Sequence, residues 1–339
     1  MDTVSELNHK TVAVTGGTGM LGRELVSQLL TLGVNPVLIV RNPESMKKLY
    51  SYLGAEPELK IIKADFMNPH ELTEAFQGTD MIFHCAAGVS MNDGTDNLIA
   101  LNTDITHHVV NSCMDAGVDK LIHVSSVAAL GSEPEKITDE NSYPDNISNW
   151  APYAISKFYS ENEVWRGHNS GLKTVIVNPS VILGPGNWKE YGTPLMFATI
   201  AKGVAVYPPG GSGFVDVRDV ASVMIRLSEI PEAVGRRFIV SSENISFREL
   251  MIMITNAVGK KPPRMKIGKK TLNFFSKAAE IISGLGHMDN PFSQNIAEIA
   301  ACRTYYDNSA ITRLTGYKFR PVKESIGYMA DSYLKDTRK

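Results

Sequence analysis

Tyr153 and Lys157 stand four residues apart, a spacing that puts two side chains on one face of a helix. A phenol beside an ammonium has a definite chemistry. Free phenol holds its proton up to a pH of about 10, and a neighbouring ammonium stabilises the phenolate and brings that proton into use near neutrality. Such a pair can give a proton to a carbonyl oxygen or take one from an alcohol. Ser125 and Ser126 close a β-branched run upstream, and a hydroxyl there could hydrogen-bond and orient the same oxygen. The carbon would still need a hydride, which no side chain supplies and a nicotinamide does. A Tyr and a Lys at this spacing arise often by chance, so the elements around them must carry the argument.

The first of these is a glycine turn. The run 11–15 leads into Gly16-Gly17-Thr18-Gly19-Met20-Leu21-Gly22, and a helix begins. Gly17, Gly19 and Gly22 fit G-x-G-x-x-G, and Gly16, Gly19 and Gly22 fit a looser spacing. A turn that brings backbone against a pyrophosphate has no room for Cβ atoms, and the helix start offers free N–H groups. Its place after the first strand is the context that gives the motif weight. The second strand ends at Val40-Arg41-Asn42-Pro43, with Lys47 and Lys48 beyond. A carboxylate there would take the ribose hydroxyls of NAD; a cation suits the 2′-phosphate of NADP. NADP rather than NAD is therefore expected. Asp65 ends the third run and could accept from an adenine amino group, or cap a turn. Ala86-Ala87-Gly88 after the fourth would let a cofactor lie close to backbone.

These motifs sit on an alternating frame. Apolar runs at 11–15, 37–40, 59–64, 81–84, 121–125 and 174–178 are separated by helical stretches at 21–32, 69–76, 104–116 and 153–165. Near-continuous apolar runs suit strands buried on both faces of a parallel sheet. The alternation predicts an α/β fold, a doubly wound Rossmann parallel sheet. After Asn178 the chain becomes rich in Pro and Gly, and from about Phe247 it reads as mostly helical. The expected division is a cofactor-binding domain over 1–178, with strand and helix returns from about 214–240. A smaller, mostly helical lobe over 179–339 would bind substrate.

Composition excludes several classes. The 339 residues are 43% hydrophobic and 21% charged with a formal net charge of −2, so bulk electrostatics favour neither nucleic acid nor an anionic membrane. Cys85, Cys113 and Cys302 are odd in number and far apart, which suits reduced thiols better than a disulfide framework. The adjacent His107 and His108 cannot share a helix face, and no metal is expected. The polar start MDTVSELNHK has no leader-like core, and 272–285 is too short and charged to span a bilayer. A cytoplasmic protein is expected. The amphipathic 271–285 reads as a core or lid helix, with a membrane-surface element as its rival.

Across nearly the whole chain these segments resemble the extended short-chain dehydrogenase/reductases, within the NAD-dependent epimerase/dehydratase group. The likeness rests on TGGTGMLG at 15–22, Asp65, FHCAAG at 83–88, HVSSVAALG at 123–131, YAISK at 153–157, NPSVILGPG at 178–186 and FVDVRDVA at 214–221. It implies a triad of Ser126, Tyr153 and Lys157, the serine chosen because it lies five before Gly131. It also implies that Asn178, Pro179 and Val181 pass the nicotinamide. VRNPESMKK at 40–48 and the tail at 304–321 are most similar to dihydroflavonol 4-reductase-type and cinnamoyl-CoA reductase-type members, implying that Arg41 and Lys48 hold the NADP phosphate. The expected cofactor contacts are then Gly16, Gly19, Met20, Leu21, Gly22, Arg41, Lys48, Asp65, Phe66, Ala86, Ala87, Gly88, Tyr153, Lys157, Asn178, Pro179 and Val181. A homodimer follows from the resemblance alone.

The expected reaction moves a hydride to or from a fairly apolar ketone, aldehyde or sterol-like alcohol. A nucleotide-sugar epimerase or dehydratase with bound NAD would use the same triad, but Arg41 argues against it. A sensor that binds NADP without turnover would not need the intact set. Arg218 is expected in a structural ion pair, with a substrate anion as the alternative. Asn102, expected just before the fourth helix, could anchor a relay water or make a plain helix-side hydrogen bond.

Overall fold

The computed structural model describes residues 6–87, 95–131, 136–144, 146–148, 150–189, 192–268, 271 and 300–337. Gly88 and nearly all of 271–285 lie outside them. The main sheet has seven strands: β1 (Val12–Thr15), β2 (Val37–Val40), β3 (Ile61–Lys63), β4 (Met81–His84), β5 (Lys120–Val124), β7 (Lys173–Pro179) and β11 (Arg236–Val240). A two-residue β6 (Ile137–Thr138) lies outside it. Its order is β11-β7-β5-β4-β1-β2-β3, and every pair is parallel. Every residue of β1, β2 and β4 is buried, as their unbroken apolar runs require. The chain winds outward from β1 to β3, returns, and winds the other way from β4. That reversal opens a crevice at the carboxyl ends of β1 and β4, where ligands of such sheets bind.

Helices cover both faces. On one, α1 (Met20–Thr31), α2 (Met46–Leu53) and α7 (Val217–Ser228) pack over Leu25, Leu29, Leu49, Val220 and Met224. On the other, α3 (Pro69–Phe76), α4 (Thr95–Asp115) and α5 (Pro152–Asn169) pack over Phe76, Val109, Val110 and Val164. Asn68 caps α3 through its side chain, with Pro69 opening the helix. The doubly wound sheet is as expected, and most elements begin within a few residues of their predicted bounds. α4 starts well before 104. Asn102 and Thr106 face inward, 2% and 3% exposed; Asn102 bonds Ser156 of α5 and Thr106 the Asn102 carbonyl one turn back, and these polar groups break the apolar period.

The C-terminal part is not helices alone. β8 (Val181–Leu183) and β10 (Gly211–Asp216) pair in parallel, and β12 (Glu243–Ser246) adds antiparallel. The remaining short strands are β9 (Val206–Tyr207), β13 (Met265–Lys266) and β14 (Tyr305–Tyr306). α6 (Thr193–Ala201), α8 (Phe247–Ala257) and the last helix, α10 (Val322–Thr337), close a second core with β8 and β10 around Phe197, Phe214, Leu250, Ile254 and Met329. A reciprocal capping box between Ser246 and Glu249 starts α8. α9 (Ser309–Thr315) returns to β11. Among the described residues no helix is long and apolar enough to cross a membrane, and all three cysteines are free.

Candidate active site

The carboxyl ends of β1, β4 and β5 gather the residues that the sequence singled out. Gly16 takes the left-handed region with φ at 70°, and a Cβ there would meet the Ala86 nitrogen at 2.6 Å. A Cβ on Gly22 would fall 2.0 Å from the Gly16 carbonyl oxygen. Both are glycine because the turn closes on itself. Gly19 differs: the nearest atom to its Cβ is the Gly16 oxygen at 3.4 Å. It begins α1 without any side-chain cap, so the helix presents bare N–H groups there. This cradle fits a pyrophosphate.

Of the other residues expected near a cofactor, Arg41 and Lys48 are exposed, at the end of β2 and in α2. Asp65 is exposed; its Oδ1 accepts from the Met67 N–H at 3.0 Å, while the cap of α3 is Asn68. Ala86 is half-buried and Ala87 exposed. Phe66 and Leu21 place their side chains in the core, so only their backbone could meet a ligand. Asn178 and Pro179 are buried at the end of β7, whereas Val181 and Met20 are half-buried.

Tyr153 lies in the first turn of α5, 38% exposed. Lys157 follows one turn later, 6% exposed. Its Nζ donates to the Val124 carbonyl at the end of β5, at 3.4 Å. Burial pulls the ammonium from the ordinary lysine value down to about 8, opposed by Cys85 and Glu161. It still carries a proton at neutral pH.

The two serines diverge. Ser125 is buried, and its Oγ has no partner among the described residues. Ser126 is half-buried; its Oγ accepts from the Ala128 N–H at 3.1 Å, which leaves the hydroxyl proton to donate. Its carbonyl accepts from Asn178 Nδ2 at 3.0 Å, and that nitrogen also donates to Glu161 at 2.7 Å. Aromatic surface lies close by. A Cβ on Gly131 would meet the Trp150 ring at 2.7 Å, and Trp150 and Tyr143 both pack edge-on against Phe158 of α5.

Several partners were not legible in advance. His84 is fully buried and bonds Thr15 Oγ1 at 2.7 Å; burial, aided by Lys157, keeps it neutral with a value of about 3. His123 lies beside it, ring centroids 5.3 Å apart. Glu161 pairs with Arg237 at 3.0 Å. A Glu one turn after Lys157 was the available signal for that pair. Asn102 makes a bond between helices, to Ser156 at 3.2 Å. Arg218 grips Asp216 with two nitrogens, at 2.8 and 2.7 Å. It stacks on Tyr328 of α10, so its role is to tie elements together. His107 bonds Glu163 and His108 the Phe66 carbonyl. Among the described residues, His, Cys, Asp and Glu form no cluster of three or more that could hold a metal ion.

The model of the NAD dependent epimerase/dehydratase family matches residues 12–241. The chain is 31% identical to tetraketide alpha-pyrone reductase 2 of Arabidopsis thaliana, over 76% of this chain and 85% of the relative. It is 30% identical to cinnamoyl-CoA reductase 1 of Petunia hybrida, over 68% of this chain and 72% of the relative. Among solved structures it is similar to gox2253, with a TM-score of 0.82 at 26% identity, covering 97% of this chain and 99% of that one. Glycine turn, parallel sheet and reductase relatives agree: the chain belongs to the NAD dependent epimerase/dehydratase family and is an NAD(P)-dependent oxidoreductase.

Proposed function

We propose that the protein is an NADP(H)-dependent carbonyl reductase or alcohol dehydrogenase in which Tyr153 moves the proton. The observation that carries this reading is the Lys157 ammonium, buried against the Val124 carbonyl one helical turn from an accessible tyrosine. Charge held in so dry a place favours the anion that Tyr153 becomes when its proton leaves. Ser126, whose hydroxyl proton has no acceptor among the described residues, donates to the substrate oxygen and holds it for Tyr153. Gly16, Gly19, Gly22 and the start of α1 would hold the pyrophosphate of the cofactor, Arg41 and Lys48 its 2′-phosphate, and Asp65 the adenine. A bound nicotinamide would supply the hydride. In alcohol oxidation the roles reverse, with Tyr153 accepting the proton.

In this reading residues 1–178, with the return over 214–240, serve the cofactor, and 179–339 mainly grips the substrate. Aromatic side chains beside the serine turn favour a fairly apolar ketone, aldehyde or sterol-like alcohol, in keeping with relatives named for cinnamoyl-CoA and a tetraketide alpha-pyrone. The test is a panel of aryl ketones, aldehydes and sterols with NADPH and NADH, read by nicotinamide absorbance, with Arg41→Ala alongside. NADPH should be preferred, and Arg41→Ala should lose about tenfold or more of that preference, a charge-assisted phosphate contact. Equal use of both cofactors by the unaltered protein would reject NADP and the role of Arg41.

A further inference from the structure

Glu161 follows Lys157 by one turn on the same face of α5, and the two are 3% and 6% exposed. The carboxylate is held on several sides. Asn178 Nδ2 donates to it at 2.7 Å, Arg237 at 3.0 Å and Trp165 Nε1 at 3.4 Å. Arg237 itself comes from β11 and also donates to the Glu140 and Ser142 carbonyls, each at 2.8 Å. A buried carboxylate is costly unless paired, and removing one member of such a pair is more costly still. The pairing explains how the charge is tolerated but not what it does there.

Lys157 supplies the reason. Its ammonium is 6% exposed and, among the described residues, donates to one carbonyl, at 3.4 Å. The titratable groups that act on it are His84 on β4, His123 on β5, Cys85 after β4, and Glu161 on its own helix. Burial keeps both imidazoles neutral and pushes the Cys85 thiol up to about 12. Glu161 is therefore the carboxylate of the set, and Arg237 pairs with it at 3.0 Å.

We propose that Glu161, paired with Arg237, is a positioning residue that keeps Lys157 protonated at the pH where Tyr153 works. The inference rests on the proposed role of Tyr153 and Lys157, and it adds an outer pair on which their charge depends.

The test reads Lys157 directly in the full-length, cofactor-free protein. Lysine labelled with 13C at Cε is followed by NMR against pH, with the Lys157 signal assigned by its loss in Lys157→Met. Glu161→Gln should lower the pH midpoint of that signal by half a unit or more, at least about threefold in proton affinity. Arg237→Met removes a cation and leaves the carboxylate in place, so it should not lower the midpoint. If Glu161→Gln does not fold, Glu161→Gln/Arg237→Met, which buries neither charge, should lower it as Glu161→Gln would. An unchanged midpoint in the folded variant that lacks the carboxylate overturns the proposal. Tyr153→Phe separates the two readings. Undiminished turnover of the ketone panel in that variant would defeat the mechanism whatever Lys157 does, whereas lost turnover with an unmoved midpoint would defeat only the role of Glu161.

Discussion

Lys157 loses proton affinity on folding, from the ordinary lysine value of 10.5 to about 8. The consequence for stability has a definite sign. Below pH 8 both folded and unfolded chains hold the proton, and the full cost of burying the ammonium is present. Between 8 and 10.5 the unfolded chain keeps a proton that the folded one releases, so stability rises with pH. Lys157→Met should therefore stabilise the protein at pH 7 by up to roughly 3 kcal/mol, as buried charges replaced by apolar groups often do. The gain should shrink toward pH 10.5 while turnover is lost. Urea unfolding at pH 7 and pH 10 checks this; a destabilised variant at pH 7 would contradict it. Tyr153 and Lys157 could be read from sequence because the residue types and their spacing are local. Glu161 and Arg237 could not be paired, because they meet across 76 residues and two elements.

At the scale of elements the glycine turn gives the sharpest contrast. Gly22→Ala drives a methyl into the Gly16 carbonyl, and no flexible side chain can yield there. It should cost several kcal/mol, in the range of overpacking and backbone strain. Gly19→Ala meets only an ordinary contact with protein, so its thermal midpoint should stay within a few degrees. A methyl there would instead stand where a pyrophosphate approaches, and NADPH affinity should fall about tenfold or more. Thermal melts and fluorescence titration separate the two. Unweakened NADPH binding by Gly19→Ala would remove the cradle from the account. The turn and β1, β2 and β4 were legible because continuous apolar runs and glycine spacing are strong local signals. The early start of α4 was not, since Asn102 and Thr106 turn polar groups inward and satisfy them with bonds that hydropathy does not register. The three-stranded sheet was missed for a similar reason: β8 and β10 are separated by α6, and nothing local marks them as neighbours.

Across the whole molecule, acid is the weak direction. His84 and His123 are fully buried and neutral, held far below the ordinary histidine value of 6.5. As pH falls below 6.5 the unfolded chain gains protons that the folded one refuses, so stability declines. With two such groups the slope should approach about 2.7 kcal/mol per pH unit. His123→Phe should halve it, since the His123 ring nitrogens have no partner to lose among the described residues. Urea unfolding from pH 7 to pH 5 gives the slope, and an unaltered slope in the variant would show that His123 is not a source. A buried acid ties α7 to the segment before the last helix. Asp219 of α7 accepts from the Tyr317 hydroxyl at 2.9 Å, from the Arg320 N–H at 2.8 Å and from the Arg320 guanidinium. FVDVRDVA at 214–221 contains both Asp216 and Asp219, so this tie was visible as a charged cluster, though its partners were not.

The mechanism depends on one hydroxyl, and a single substitution isolates it. Tyr153→Phe keeps the ring and removes only the oxygen. Steady-state turnover of a ketone or aldehyde that the unaltered protein reduces, measured beside NADPH affinity in the same preparation, tests this most directly. Turnover should fall by about 10²-fold or more, the range of general acid–base catalysis, with NADPH affinity nearly unchanged. Undiminished turnover would contradict Tyr153 as the proton donor.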